Sequence, residues 1–175
     1  MLTELEIREC LKESNAIEGV YSEKALEDAM SAWQYIMKRD VLFDKEILEL
    51  HRILMQSLRP DIAGKYRTCS VWIGGQLKKY LGLEFIQCQM SDFINLMLES
   101  YKLETIEEKE IACKQAHVFF ENCHPFEDGN GRLGRILYNW HRLKLGLPLH
   151  IIHEGDEQRS YYQWFANNSD EKNTK

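Results

Sequence analysis

A chain of 175 residues, 44% hydrophobic and 29% charged, is sized for one domain with a sizeable core, so the expectation is a single domain over 1–166 and a fraying polar tail at 167–175. Its formal charge of -6, from 22 basic and 28 acidic residues, argues against a nucleic-acid backbone as the main partner but leaves room for a nucleotide in a local cationic pocket. No apolar run is long enough to cross a bilayer, and the acidic start Met1-Leu-Thr-Glu-Leu-Glu6 lacks the basic and apolar regions of a secretory leader, so the expected location is cytoplasmic, with no membrane partner.

Ile7, Cys10 and Leu11 mark the apolar side of a first helix over 5–16. Ser22 suits the N-cap of a second, in which Leu26, Ala29, Met30, Trp33, Ile36 and Met37 recur at helical spacing. Asp44 is expected to cap a third, carrying Ile47, Leu50, His51 and Leu54, and Arg59-Pro-Asp61 ends it or begins a loop. The run Tyr66–Ile73 is rich in strand formers and closes on Gly74-Gly75. Leu83-Glu-Phe-Ile86 is expected to be its short partner strand, the two forming a flap on the helices, because two short strands make no independent sheet. Ser91 is expected to cap a helix with Phe93, Ile94, Met97 and Leu98. The next helix begins near Ile106 and carries Ile111, Ala116, Phe119 and Phe120. A loop follows at His124-Pro125, and a helix from near Gly131 carries Leu133, Ile136, Leu137, Trp140 and Leu143 until Gly146-Leu-Pro148 stops it. Tyr161, Tyr162, Trp164 and Phe165 mark a last docked helix. The five cysteines, Cys10, Cys69, Cys88, Cys113 and Cys123, are odd in number and show no zinc-like pairing, which reads as reduced thiols. Cys123 adjoins His124, and a buried apolar thiol is preferred there to a thiol nucleophile.

The segment His124-Pro-Phe-Glu-Asp-Gly-Asn-Gly-Arg132 is the densest functional signal. Gly129 and Gly131 let the backbone turn tightly and approach a ligand. The helix that follows offers unpaired N–H groups at its start, an anion site suited to phosphate. Arg132 and Arg135, three apart, share a side near that end, where two cations oppose the helix dipole and call for a multiply charged anion. His124 is placed to take a proton from an attacking hydroxyl, Asp128 to offer an oxygen to Mg2+, and Phe126 to face the core. Taken singly, the same residues also suit a capping histidine, an ordinary Asp-Gly turn and solvated arginines. Their compactness favours the phosphate site.

This segment, with Arg135 after it, resembles the signature of the Fic domain family. The resemblance extends to His117 and Phe119 before the loop and to Gly64-Lys-Tyr-Arg67 through Val71-Trp-Ile-Gly-Gly75. It implies an all-α fold, a Fic-like helical core with a short β-hairpin flap, and transfer of AMP from ATP to a Tyr, Thr or Ser hydroxyl of a target protein. It implies His124 as general base, Asp128 holding Mg2+ against the phosphates, Gly129, Asn130 and Gly131 shaping the anion hole, and Arg132 and Arg135 on the outer phosphates. The flap, around Val71–Gly74 and Leu83–Ile86, would align the target by backbone pairing. Gly131, where a phosphorylating branch has lysine, favours nucleotidyl transfer, and Ile86-Gln-Cys88 replaces the proline pair common after the flap.

Ser14 and Glu18 lie four apart on one helix side, and Gly19 can end the helix. The segment also resembles the family's inhibitory motif in the group that carries it N-terminally, on a helix of about 5–19. That implies a Glu18–Arg135 pair that keeps Arg135 from the outer phosphate. Removal of AMP, transfer of another phosphate-linked group, and a catalytically inactive nucleotide-binding or helical interaction module stay open beside this reading, as does a homo-oligomer.

Overall fold

Side-chain capping sets where three of the seven described helices begin. The computed structural model describes residues 2–166, so the expected tail lies outside the described residues. Helix α1 (Glu4–Ile17) opens on a capping box: Thr3 Oγ1 accepts from the Glu6 amide, and the Glu6 carboxylate accepts from that of Thr3. Helix α2 (Glu23–Met37) opens on Ser22, whose Oγ accepts from the Ala25 amide at 3.2 Å. Helix α3 (Asp44–Met55) departs from expectation. Phe43 takes the N-cap with no side-chain bond, and Asp44 is the first helical residue. There its carboxylate meets the positive end of the helix dipole and accepts from the Tyr66 hydroxyl.

The flap is a tighter hairpin than the sequence predicts. Strand β1 (Val71–Ile73) pairs antiparallel with β2 (Gln76–Lys78), Trp72 facing Leu77. Gly74 and Gly75 form the two-residue turn with φ of 53° and 80°, a pair of positive values that suits the right-handed twist of the strands. The expected partner strand, Leu83–Ile86, is instead the first turn of helix α4 (Leu83–Glu99). Its apolar run looks strand-like in isolation, but Ile86, Met90, Phe93 and Met97 form one buried stripe at helical spacing. Ser91, expected as a cap, lies inside that helix and donates to the Gln87 carbonyl at 3.0 Å.

A single 3-10 turn at Ser100–Lys102 leads to helix α5 (Ile106–Cys123), which opens on a second capping box, Thr105 with Glu108. Helix α6 (Asn130–Lys144) and helix α7 (Asp156–Ala166) complete the order. Helix α6 runs through the middle of the core. Its Leu133, Ile136, Leu137 and Trp140 join Trp33 and Ile36 of α2, Leu50 and Leu54 of α3, Met90 and Phe93 of α4 and Phe120 of α5. Every residue from Arg132 to Arg142 is buried, although five of them are charged, amide or imidazole side chains. A helix that is buried all round must satisfy its polar groups inside the protein, and that accounting leads to the site.

Candidate active site

The loop between α5 and α6 is closed by its own side chains. His124 ends α5 in the left-handed conformation, the one non-glycine residue with positive φ (48°) among those described. Asn130 is buried, and its side-chain amide bonds the Phe126 backbone twice: Oδ1 accepts from the amide at 3.0 Å, and Nδ2 donates to the carbonyl at 2.9 Å. Phe126 is fully buried, as expected, and stacks on His51 with ring centroids 3.8 Å apart. His51 Nδ1 accepts from the Gly64 amide at 3.0 Å, so Nε2 carries the proton and donates to the Asp128 carbonyl at 3.0 Å. Gly129 has φ of 80°, and a Cβ there would press on Met55 Sδ and His51, so both conformation and space require glycine.

Arg67 ties this loop to the flap. Its Nε donates to the His124 carbonyl at 2.8 Å, its amide to the Pro125 carbonyl at 2.9 Å and its Nη1 to the Cys69 carbonyl at 2.8 Å. Held this way, His124 directs Nδ1 to the Glu121 carbonyl at 3.3 Å, which leaves Nε2 as the acceptor. Burial pushes its pKa down to about 4, so the ring is neutral near pH 7 and able to take a proton. The neighbouring Cys123 has the opposite character to a nucleophile: it is buried, and burial pushes its thiol up to about 12.

The polar groups of α6 divide sharply. Arg142 binds the Glu110 carboxylate at 2.6 and 2.9 Å and the Pro148 carbonyl at 2.9 Å. Asn139 exchanges bonds with the His150 backbone, and His141 meets Ser100 Oγ at 2.6 Å. Arg132 is just as buried, at 3% exposed, yet its Nη2 touches only Met55 Sδ, at 3.1 Å, while Nε and Nη1 have no hydrogen-bond partner. An unpaired buried guanidinium is costly and marks a place for an anion.

Arg135, one turn further on, is paired on every nitrogen. Nε donates to Ser14 Oγ at 2.9 Å, Nη2 to the Ser14 carbonyl at 2.9 Å and to Glu18 Oε1 at 2.8 Å, and Nη1 to the Tyr161 hydroxyl at 3.4 Å. Burial opposes its charge, and Tyr161, Glu18 and Glu121 more than restore it. Ser14 and Glu18 therefore meet Arg135 from one side of α1, at its C-terminal end, where the helix dipole favours a cation. Gly19, with φ of 68°, ends that helix: its amide bonds the Ala16 carbonyl, and the Val20 amide bonds that of Asn15, the Schellman arrangement. The Glu18 carboxylate also lies over Gly131, so that a Cβ there would strike Oε1. A carboxylate thus sits beside the first turn of α6, over Gly131.

Asp128 stands exposed at the mouth, with Oδ1 accepting from the Gly129 amide at 2.6 Å. Among the described residues, no group of three or more His, Cys, Asp or Glu could by itself hold a metal. A single carboxylate nevertheless fits Mg2+, which binds one or two carboxylates and completes its shell with phosphate oxygens and water. Four positioning groups do not stand out in the sequence. His51 and Tyr161 sit in apolar stripes that suggest packing, Arg67 lies in the approach to the flap, and Glu121 lies in no motif; for His51 and Tyr161 the available signal is a polar group inside an apolar stripe.

Comparisons with known proteins bear on the family and the fold. The Fic/DOC family model matches residues 42–141. The chain is 28% identical over 137 residues to the protein adenylyltransferase Fic of Culex quinquefasciatus, covering 77% of this chain and 26% of that protein. It is 34% identical over 122 residues to the protein of the same name from Drosophila erecta, covering 69% and 23%. The chain thus spans about a quarter of the length of these curated relatives. Among solved structures, Fic-1 (residues 134–508) of C. elegans superposes with a TM-score of 0.76 at 20% identity, covering 96% of this chain and 57% of that one. A Fic-domain-containing signalling protein from Bacteroides thetaiotaomicron gives 0.72 at 22% identity, covering 90% and 69%.

Proposed function

Because the chain belongs to the Fic/DOC family, we propose that it is a protein adenylyltransferase that moves AMP from ATP to a side-chain hydroxyl of a target protein and is held inactive by Glu18. The observation that carries the reading is the buried cation pair at the start of α6: Arg132 lacks partners on Nε and Nη1, and Arg135 holds a carboxylate. The names of the curated relatives support the same chemistry.

In this reading the triphosphate lies along the first turn of α6, with its outer phosphates against Arg132 and Arg135. His124 Nε2 takes the proton of the target hydroxyl as its oxygen bonds to the α-phosphorus and the bond to pyrophosphate breaks. Asp128 would hold Mg2+, which when bound neutralises phosphate charge. The flap would pair with the target backbone through the free edge of its hairpin. Glu18 blocks this arrangement twice, by occupying Arg135 and by setting a negative charge on the amides that the phosphates need. The acceptor is a tyrosine, threonine or serine.

The test is transfer of label from α-32P-ATP to proteins of a cell lysate. E18G should raise labelling about tenfold or more above wild type, and adding H124A should lower it again by about 10²-fold or more, the scale of a lost general base. A folded E18G protein that labels no better than wild type removes the inhibitory role of Glu18, and turnover by E18G/H124A equal to that of E18G removes His124 as the base.

A further inference from the structure

Arg135 has one hydrogen-bond partner that does not come from α1. The Ser14 hydroxyl, the Ser14 carbonyl and the Glu18 carboxylate all belong to that helix, whereas the Tyr161 hydroxyl belongs to α7. The direction of the Tyr161 bond follows from its neighbours. His117, buried on α5 against α6 and α7, places Nδ1 3.2 Å from the Gly134 carbonyl. A carbonyl only accepts, so Nδ1 carries the proton, and Nε2 of the neutral ring is an acceptor. Tyr161 Oη, 2.9 Å from that Nε2, therefore donates to it and turns its lone pairs outward. Arg135 Nη1 lies on that side, 3.4 Å away, with its guanidinium carbon 5.8 Å from the centre of the Tyr161 ring. The opposite hydroxyl orientation would leave His117 without a donor and point a proton at a cation. Burial, which pushes His117 down to about 3, keeps the ring in this neutral form.

We infer that Tyr161, oriented by His117, is a positioning residue that fixes the Arg135 guanidinium for the outer phosphates of ATP once Glu18 has let go. The inference rests on the functional reading above. Without Glu18, a long buried side chain keeps only Ser14 and Tyr161 as hydrogen-bond partners to set its direction, and of these Tyr161 alone comes from outside α1. A guanidinium preset in this way loses less freedom on meeting phosphate. The effect belongs to the outer phosphates, so a nucleotide that lacks them is indifferent to it.

The experiment uses calorimetric titration of ATP and, separately, AMP, with Mg2+, into E18G/H124A protein, in which His124 is removed to prevent turnover. Y161F, which keeps the ring and its packing, should weaken ATP binding about 5- to 10-fold, the scale of one hydrogen bond to a charged group, and leave AMP binding unchanged. In an added R135K background, the effect of Y161F on ATP should disappear, because the two side chains then no longer share a bond. Unchanged ATP affinity in Y161F, equal weakening of ATP and AMP, or an undiminished effect in R135K would each overturn the inference. Absence of ATP binding to the E18G/H124A parent would instead overturn the functional reading and the inference with it.

Discussion

Arg132 and Asp128 show how differently two residues of one loop act. Arg132 is a buried cation with two unpaired nitrogens, and burial holds its pKa below the usual arginine value against the pull of Asp128 and Glu18. Such a group costs stability in the free protein and is rewarded only when an anion arrives. R132M, similar in length and apolar, should therefore melt higher than wild type by a few degrees, on the order of 1–2 kcal/mol, while losing ATP binding. Calorimetry of the two proteins with and without ATP checks both halves, and a lower melting temperature for R132M would contradict the account. Asp128 is exposed and carries no such cost. D128A should fold and melt like wild type, yet transfer by E18G/D128A should need far more Mg2+ than transfer by E18G, seen as a rightward shift in a metal titration.

Among the elements, most of those with a buried stripe are readable in the sequence, whereas the flap and the start of α4 are not. The helices at 4–17, 23–37, 106–123 and 130–144 follow apolar spacing and, for three of them, Ser or Thr caps. The nine-residue loop motif is legible because its histidine, glycines and arginine lie close together in sequence. The flap is illegible because Gly74-Gly75 looks like the end of a strand when it is the turn between two, and the Leu83–Ile86 run resembles a strand until Met90, Phe93 and Met97 are counted with it. His51, Arg67 and Tyr161 are hidden as site residues because their roles depend on partners up to 77, 58 and 44 positions away. The flap gives an element-scale test. Alanine at both Gly74 and Gly75 is strained at positive φ and should splay the two strands without touching the core, since nothing lies within 4 Å of either Cβ position. In an E18G background this double variant should retain ATP affinity and lose most of its labelling of target proteins. Equal losses of both would mean that the hairpin supports the core.

The whole molecule stores several buried ionisable groups whose folded and unfolded protonation differ. Burial pushes His51 and His141 down to about 4, like His124, and His117 to about 3. Their stabilisation is full above pH 6.5 and is lost as pH falls towards 4, because the unfolded chain then binds protons that the native protein refuses. Glu121 runs the other way. Burial raises it to about 7, Arg135 lowers it and Glu18 raises it further, so its contribution is full below pH 4.5 and is lost as pH rises through 7. Four histidines outweigh one glutamate, and urea denaturation should find wild type more stable at pH 6.5 than at pH 5. E121Q should show a steeper rise over that interval and exceed wild type at pH 8 by on the order of 1–3 kcal/mol; equal profiles would show that Glu121 titrates normally. The Arg135 contacts also span the chain, reaching back 121 and 117 positions to Ser14 and Glu18. During synthesis, α1 leaves the ribosome long before α6 exists for it to grip. On the proposed reading the inhibitor is therefore made ahead of the site that it restrains, and when α6 emerges its guard is already waiting, so the growing chain need not pass through an unrestrained form that would modify other proteins before its own folding is finished.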